Sequence, residues 1–369
     1  MSSNYEVIDS DGHILEPADL WVKGIDPKFR EQAPRLVVDT DGRERLLIEG
    51  KLLGNRILGL SIAGATGIPV ETIRGMTYKD GRKGGFDPHA RIKDLDVDGI
   101  DVAVLYPTLG LFYGAIEDPG LSAAVCRAYN RWIADFCNTY PERLVGMAML
   151  PMHSVEHAVA ELKYARNTLG LCGGFLRPNP YNRRLLSDPA YDPVWAMAQD
   201  LDVPIAFHEA AGGLEAIGSD RVNGFGARHI AAHTMEMQLA SLAVIWGGVC
   251  ERFPRLRFGF LECSGGWMPA WLDRMDRHLD RRDFFEDAKL KMMPSEYFRR
   301  QCWIAFEPKE RTIAQSAEYF GPNRILWATD SPHMDGYFPG APKMVTEHLP
   351  ESLKHQVLAQ GAMDFYGLH

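Results

Sequence analysis

A chain of 369 residues that is 46% apolar and 24% charged can bury a large core, as one big α/β domain or two smaller ones. Its formal charge of -9 argues against a nucleic-acid partner, because no basic stripe is present to neutralise phosphates, and the densest basic pair, Arg281-Arg282, is flanked by Asp280 and Asp283 and reads as a solvated helix face. The longest apolar stretch, Met235 to Val249, contains Glu236 and Gln238 and reads as a buried helix, too short to span a bilayer. The opening MSSNYEV lacks the basic and apolar regions of a signal peptide, and six cysteines without C-x-x-C pairs predict reduced thiols in a cytoplasmic protein.

In chain order, an apolar run from Tyr5 to Ile8 opens into Asp9-Ser10-Asp11-Gly12-His13. Alternation along an extended strand places Asp11 and His13 on one face, where a carboxylate and an imidazole can share a divalent cation, and Gly12 lets the backbone come close. A turn aspartate beside a surface histidine accounts for the triplet equally well. Two apolar runs, Leu36 to Val38 and Leu46 to Ile48, surround an Asp-Gly turn and read as a β-hairpin. The whole segment 18–89 is an excursion after the first strand that covers the mouth of a site or serves as a plain crossover.

From Ala90 the pattern becomes regular. Helical segments at 90–98, 121–140, 155–169, 190–201, 230–253 and 312–320 alternate with short apolar runs at 102–106, 144–150, 172–176, 203–207, 256–261, 302–306 and 325–328. Counting the first, eight such runs predict parallel strands and a single-domain (β/α)8 TIM barrel over residues 1–369 with an inserted hairpin and loop excursion. An open dinucleotide-binding sheet would need a glycine-rich loop after its first strand, which Ser10-Asp11-Gly12-His13 is not. In a barrel, chemistry collects where strands end. Those ends supply Asp11, His13, Arg177, His208, Glu262, Glu307 and Asp330.

D-G-H at 11–13 with the trailing ILEP, PIAFHE at 204–209, GVCERFPRLRF at 248–258, LECSGGWMP at 261–269 and ILWATDSPH at 325–333 together resemble the amidohydrolase superfamily over essentially the whole chain. The likeness is to the branch holding aminocarboxymuconate semialdehyde and γ-resorcylate decarboxylases. It implies one divalent metal ion on Asp11, His13, His208 and Asp330, with zinc first and manganese or iron as alternatives. Superfamily members with two metals carry a bridging carbamylated lysine on strand 4; Arg177 stands there and cannot form one, so a second metal is not expected. Where the decarboxylases have a histidine after strand 6, this chain has Glu262-Cys263.

Candidates for the missing proton donor are His229 and His233, one helical turn apart, with His333 after strand 8 and Glu262 itself as alternatives. Arg177 is a candidate clamp for a substrate carboxylate, or else the partner of Glu262 or Glu307 in a salt bridge. Tyr106, Phe112, Tyr113 and Trp267 are candidate pocket walls or ordinary packing. The resemblance thus implies a metal-dependent lyase acting on a small, aromatic carboxylic acid. Hydrolysis of an amide, ester or lactone, or a non-catalytic metal-binding role, are the alternatives, and family members commonly form homodimers.

Overall fold

The computed structural model describes residues 5–53, 72, 76–210, 217–218, 221–284 and 289–368. The chain opens on β1 (Ile8–His13) and detours through three antiparallel strands, β2 (Arg35–Val38), β3 (Glu44–Ile48) and β4 (Lys51–Leu53). It then lays down β5 (Val102–Tyr106), β6 (Leu144–Met149), β7 (Gly173–Leu176), β8 (Ile205–His208), β9 (Phe258–Leu261), β10 (Cys302–Phe306) and β11 (Ile325–Trp327). β1 and β5 to β11 form one parallel sheet in that order, with helices between most successive strands. This is the (β/α)8 barrel that eight apolar runs predict. The predicted hairpin is present as β2 and β3, and β4 extends it by one strand.

Every residue of β5, β7, β8, β9, β10 and β11 is buried, as parallel strands covered on both faces must be. Fully burying each Val, Leu, Ile or Phe side chain contributes about 1.5–3 kcal/mol, so the barrel wall supplies the main driving force for the fold. The last helix, Gly361–Tyr366, packs against β1 and β11. Its Tyr366 hydroxyl donates to Ser10 O at 2.6 Å, and Phe365 lies so close to Gly259 that a Cβ there would stand 2.5 Å from the ring.

β1 meets β11 through loop backbone, Asp330 N–H donating to Asp11 O (3.1 Å) and His13 N–H to Ser331 O (2.9 Å). A buried cluster locks this seam. The Asp9 carboxylate accepts from Thr329 N–H (2.9 Å) and Thr329 Oγ1 (2.6 Å), while Arg91 Nη1 donates to the carbonyls of His13 and Ser331 at 3.0 and 3.1 Å. Gly12 is required here for space: a Cβ would stand 2.5 Å from Arg91 Nη2 and 2.8 Å from Asp9 Oδ2.

Three expectations change. The helix read as 230–253 runs Phe225–Ile245 and breaks at Gly247-Gly248, Gly248 taking φ 77° before a separate turn, Val249–Arg252. Arg281-Arg282 lie in an exposed turn after the helix Met268–Leu279 has ended, so they form no helix face. The helices Met268–Leu279, Pro294–Gln301 and Gly361–Tyr366 add to the predicted set. Residues 54–71 and 73–75 of the excursion lie outside the described residues; its neighbouring part reaches the seam, Leu15 N–H donating to Gly85 O at 2.8 Å.

Candidate active site

The carboxyl ends of β1, β8 and β9 and the loop after β11 converge on one buried cluster. His13 Nε2 and His208 Nε2 lie 3.1 Å apart. Asp11 Oδ1 is 3.5 Å from His13 Nε2, Asp11 Oδ2 is 3.4 Å from His208 Nε2, and Asp330 Oδ1 is 3.4 Å from His13 Nε2. Asp11, His13 and His208, all wholly buried, form one candidate metal-holding group, and Asp330 joins His13 in a second group with His333.

The donors fit a divalent metal ion. His13 Nδ1 donates to Pro107 O at 2.8 Å and His208 Nδ1 to Glu209 O at 2.7 Å, which leaves both Nε2 lone pairs facing one another. Two facing lone pairs repel unless a cation or a proton lies between them. Both Asp11 oxygens are buried and accept no hydrogen bond from a described residue, an expensive condition for a carboxylate. Ligand atoms bound at about 2.1 Å around one tetrahedral ion stand roughly 3.4 Å apart, close to the 3.1–3.5 Å spacing among Asp11, His13 and His208. Without a metal, a proton takes its place: burial opposes charge on His208, but Asp11 and Glu262 outweigh it and raise its pKa to about 9.

The two carboxylates that complete the cluster come from strained backbone. Glu262 and Asp330 have φ of 46° and 51°, the left-handed region that side chains avoid, and so turn their carboxyls inward at the ends of β9 and β11. Burial, then neighbouring acids, hold Asp330 well above the usual carboxylate range. Burial does the same to Glu262, against the pull of His208 and with Asp335, Asp11 and Glu307 adding to it.

Glu262 Oε2 stands 3.3 Å from both His208 Nε2 and His233 Nε2 and so bridges the metal cluster to the helix Phe225–Ile245. Burial lowers the pKa of His233 and keeps the imidazole neutral. His229, stacked on His233 with centroids 4.0 Å apart, pairs instead with Asp335 at 3.2 Å. His333 belongs to the edge of the cluster: its Nδ1 meets Asp330 Oδ1 at 2.7 Å, its Nε2 meets Thr108 Oγ1 at 3.0 Å, and its ring stacks on His13 at 3.9 Å.

Arg177 is completely buried, and both of its terminal nitrogens are occupied while Nε has no partner among the described residues. Nη1 donates to Leu111 O, and Nη2 to Glu209 Oε1 and Ala210 O. Its acidic partner is thus Glu209, not Glu262 or Glu307, and a substrate carboxylate would have to displace that pair. A narrow cavity of about 10 Å³ beside the cluster is lined by Asp11, Glu262, Glu307, Asp330, Asp335 and Tyr337, with Phe306 and Cys263. Its aromatic walls are Phe306 and Tyr337, whereas Tyr106, Phe112, Tyr113 and Trp267 do not line it. Asp335 and Tyr337 went unread in the sequence, although both sit in the polar loop beyond the β11 aspartate, the segment that faces the mouth in this fold.

The sequence profile of the Amidohydrolase family matches residues 8–368. The 2-amino-3-carboxymuconate-6-semialdehyde decarboxylase of Dictyostelium discoideum is 26% identical over 297 residues, 80% of this chain and 81% of that protein. Among solved structures, an amidohydrolase from Mycobacterium avium subsp. paratuberculosis K-10 superposes with TM-score 0.84 at 22% identity over 99% of this chain and 100% of its own. A dihydroxybenzoic acid decarboxylase from Polaromonas sp. JS666, solved with manganese and the inhibitor 2-nitroresorcinol, superposes with TM-score 0.69 at 21% identity over 82% of this chain and 92% of its own.

Proposed function

We propose that this chain, which belongs to the amidohydrolase family, is a metal-dependent carboxy-lyase that removes the carboxyl group of a small aromatic acid without oxidation. The observation that carries the reading is the set of inward-facing Nε2 atoms and unpartnered Asp11 oxygens beside a cavity walled by Phe306 and Tyr337. The named activities of the Dictyostelium and Polaromonas relatives support the reaction class.

Asp11, His13, His208 and Asp330 would hold one divalent ion. Bound there, such an ion supplies a Lewis acid that orients substrate oxygens and stabilises developing negative charge. Zinc is our first assignment; two imidazoles and two carboxylates also suit manganese, the metal of the Polaromonas enzyme. The Glu262–His233 pair handles the proton. We assign Glu262, whose pKa burial raises, as the acid of the pair, with His233, whose pKa burial lowers, as its exchange partner. The ring–carboxyl bond breaks, its electron pair remains on the ring carbon, the proton from Glu262 forms the new C–H bond, and carbon dioxide leaves. Arg177 serves this site as a positioning residue through Glu209 and Leu111.

Incubating metal-loaded protein with hydroxylated benzoates tests the reaction. Carbon dioxide release, with no oxygen-18 entering the product from labelled water, is the expected result. Labelled oxygen in the product would favour hydrolysis on the same scaffold.

The rest of the reading concerns context. The described part of the excursion 18–89 is read as a cover for the barrel mouth, a reading supported by the Leu15–Gly85 contact and by the guanidinium of Arg82, 3.8 Å from the Phe338 ring. Six unpaired buried cysteines support a cytoplasmic location. Exposed Ile230, Met235 and Leu239 on the helix Phe225–Ile245 support a homodimer, which light scattering would test. No helix among the described residues is long and apolar enough to cross a membrane.

A further inference from the structure

Glu16 lies three residues beyond His13, is completely buried, and is not one of the four proposed ligands. Its carboxylate nevertheless collects donors from one loop: Oε1 accepts from Thr108 N–H (3.1 Å) and Gly110 N–H (2.9 Å), and Oε2 from Leu109 N–H (2.9 Å). Tyr78, from the excursion, points its hydroxyl at Oε2 from 3.5 Å. The loop is also jammed against the carboxylate. A Cβ on Gly110 would stand 3.1 Å from Glu16 Oε1 and 2.7 Å from both Met149 Sδ and Pro107 Cβ.

That loop carries three of the contacts on which the site depends. Pro107 O receives the Nδ1–H of His13, Thr108 Oγ1 meets His333 Nε2, and Leu111 O receives Arg177 Nη1. The first of these sets a tautomer. With Nδ1 protonated toward Pro107, Nε2 keeps the lone pair that faces the cluster; were the carbonyl to withdraw, the proton could settle on Nε2 and remove a ligand. The second holds His333 against Asp330.

We propose that Glu16 is a positioning residue for the metal centre: by gripping the amides of residues 108–110 it fixes the tautomer of His13 and the orientation of His333. This rests on the metal reading above. A carboxylate that only anchored a loop would affect stability; one that fixes a ligand tautomer must also affect the metal.

The probe is cobalt(II), titrated into wild type, Glu16→Gln, Tyr78→Phe and a control, Tyr191→Phe, which loses a buried hydrogen bond to Met152 O away from this loop. Glutamine keeps the shape of Glu16 but turns an NH2 toward backbone N–H donors. Loss of an outer-shell partner typically weakens metal binding by about 10- to 100-fold. That weakening is expected for Glu16→Gln, with a changed cobalt d–d spectrum and a changed ¹⁵N signal at His13 Nε2. Tyr78→Phe should give a smaller change in the same direction, and Tyr191→Phe none.

Wild-type cobalt affinity and spectrum in a folded Glu16→Gln protein, even one that melts earlier, would overturn the proposal. Should Glu16→Gln fail to fold, Tyr78→Phe decides, and unchanged binding there overturns it as well. A wild-type protein that binds no cobalt would sink the metal reading together with this one, whereas wild-type binding with unaffected variants sinks this one alone.

Discussion

Asp11 and Arg177 end strands on different sides of the barrel, both wholly buried and both charged, yet their surroundings are opposite. The charge of Arg177 is met within the protein by Glu209 at 2.5 Å, and its two terminal nitrogens also reach the carbonyls of Leu111 and Ala210. Asp11 accepts no hydrogen bond from a described residue and faces two imidazole nitrogens. A buried charge with its own counter-charge is scaffold, and one left open at a convergence of strand ends is a place for a ligand. The two differ in what their removal should do.

The largest effect is expected at the open charge. His208→Ala should reduce turnover of the best hydroxybenzoate by about a thousandfold or more, because the several kcal/mol that a Lewis acid contributes to the transition state go with it. Initial-rate measurement at saturating metal checks this. A variant with near wild-type rate would break the comparison at once.

Next comes the closed charge. Arg177→Met leaves the Glu209 carboxylate buried and alone, a loss of about 3–5 kcal/mol in urea unfolding, whereas Arg177→Met with Glu209→Leu should recover most of it. Bound metal should be retained in the double variant. If Arg177→Met instead keeps its stability and raises KM for carboxylate substrates, Arg177 is the clamp that the sequence also allowed.

His153 supplies a third kind of buried polar group, one kept neutral. Burial lowers its pKa from 6.5 to about 4, with its ring 5.1 Å from that of Tyr181 and its Nδ1 at 2.7 Å from Ser122 Oγ. The unfolded chain takes up the proton below about 6.5 and the folded chain only near 4. Stability is therefore full above 6.5 and is lost as pH falls, by about 2 kcal/mol between pH 6.5 and 5. His153→Gln should flatten that limb of the unfolding free energy against pH; an unchanged slope would assign the loss to other groups.

The smallest effect tests whether burial, not distance, gives the Arg177 pair its weight. Lys51 and Glu117 also approach to 2.5 Å, but on the surface. Lys51→Met should cost only about 0.2–1 kcal/mol by thermal or urea unfolding. A cost as large as that at Arg177 would show that contact distance alone explains both.

Much of the barrel was legible because fully buried parallel strands are short unbroken apolar runs, and 102–106 and 302–306 are strands over those same residues. Residues at strand ends were legible for the same reason: Asp11, His208, Glu262 and Asp330 each stop an apolar run. Pairings across the chain were not. Nothing local joins Arg177 to Glu209, Glu16 to the amides of 108–110, or His333 to Thr108, since these contacts exist only once the barrel closes. The break at Gly247-Gly248 was visible as a glycine pair but was outweighed by the apolar run on either side. The helix Gly361–Tyr366 was missed because its buried face is short, two aromatic rings carrying most of the contact.

The central claim is that Asp11, His13, His208 and Asp330 hold one divalent ion. Elemental analysis of the purified wild type, His208→Ala and Asp330→Ala proteins tests it most directly. The account predicts about one equivalent of zinc or manganese in the wild type and loss in both folded variants. No metal in the wild type, or metal retained in both variants, would contradict it.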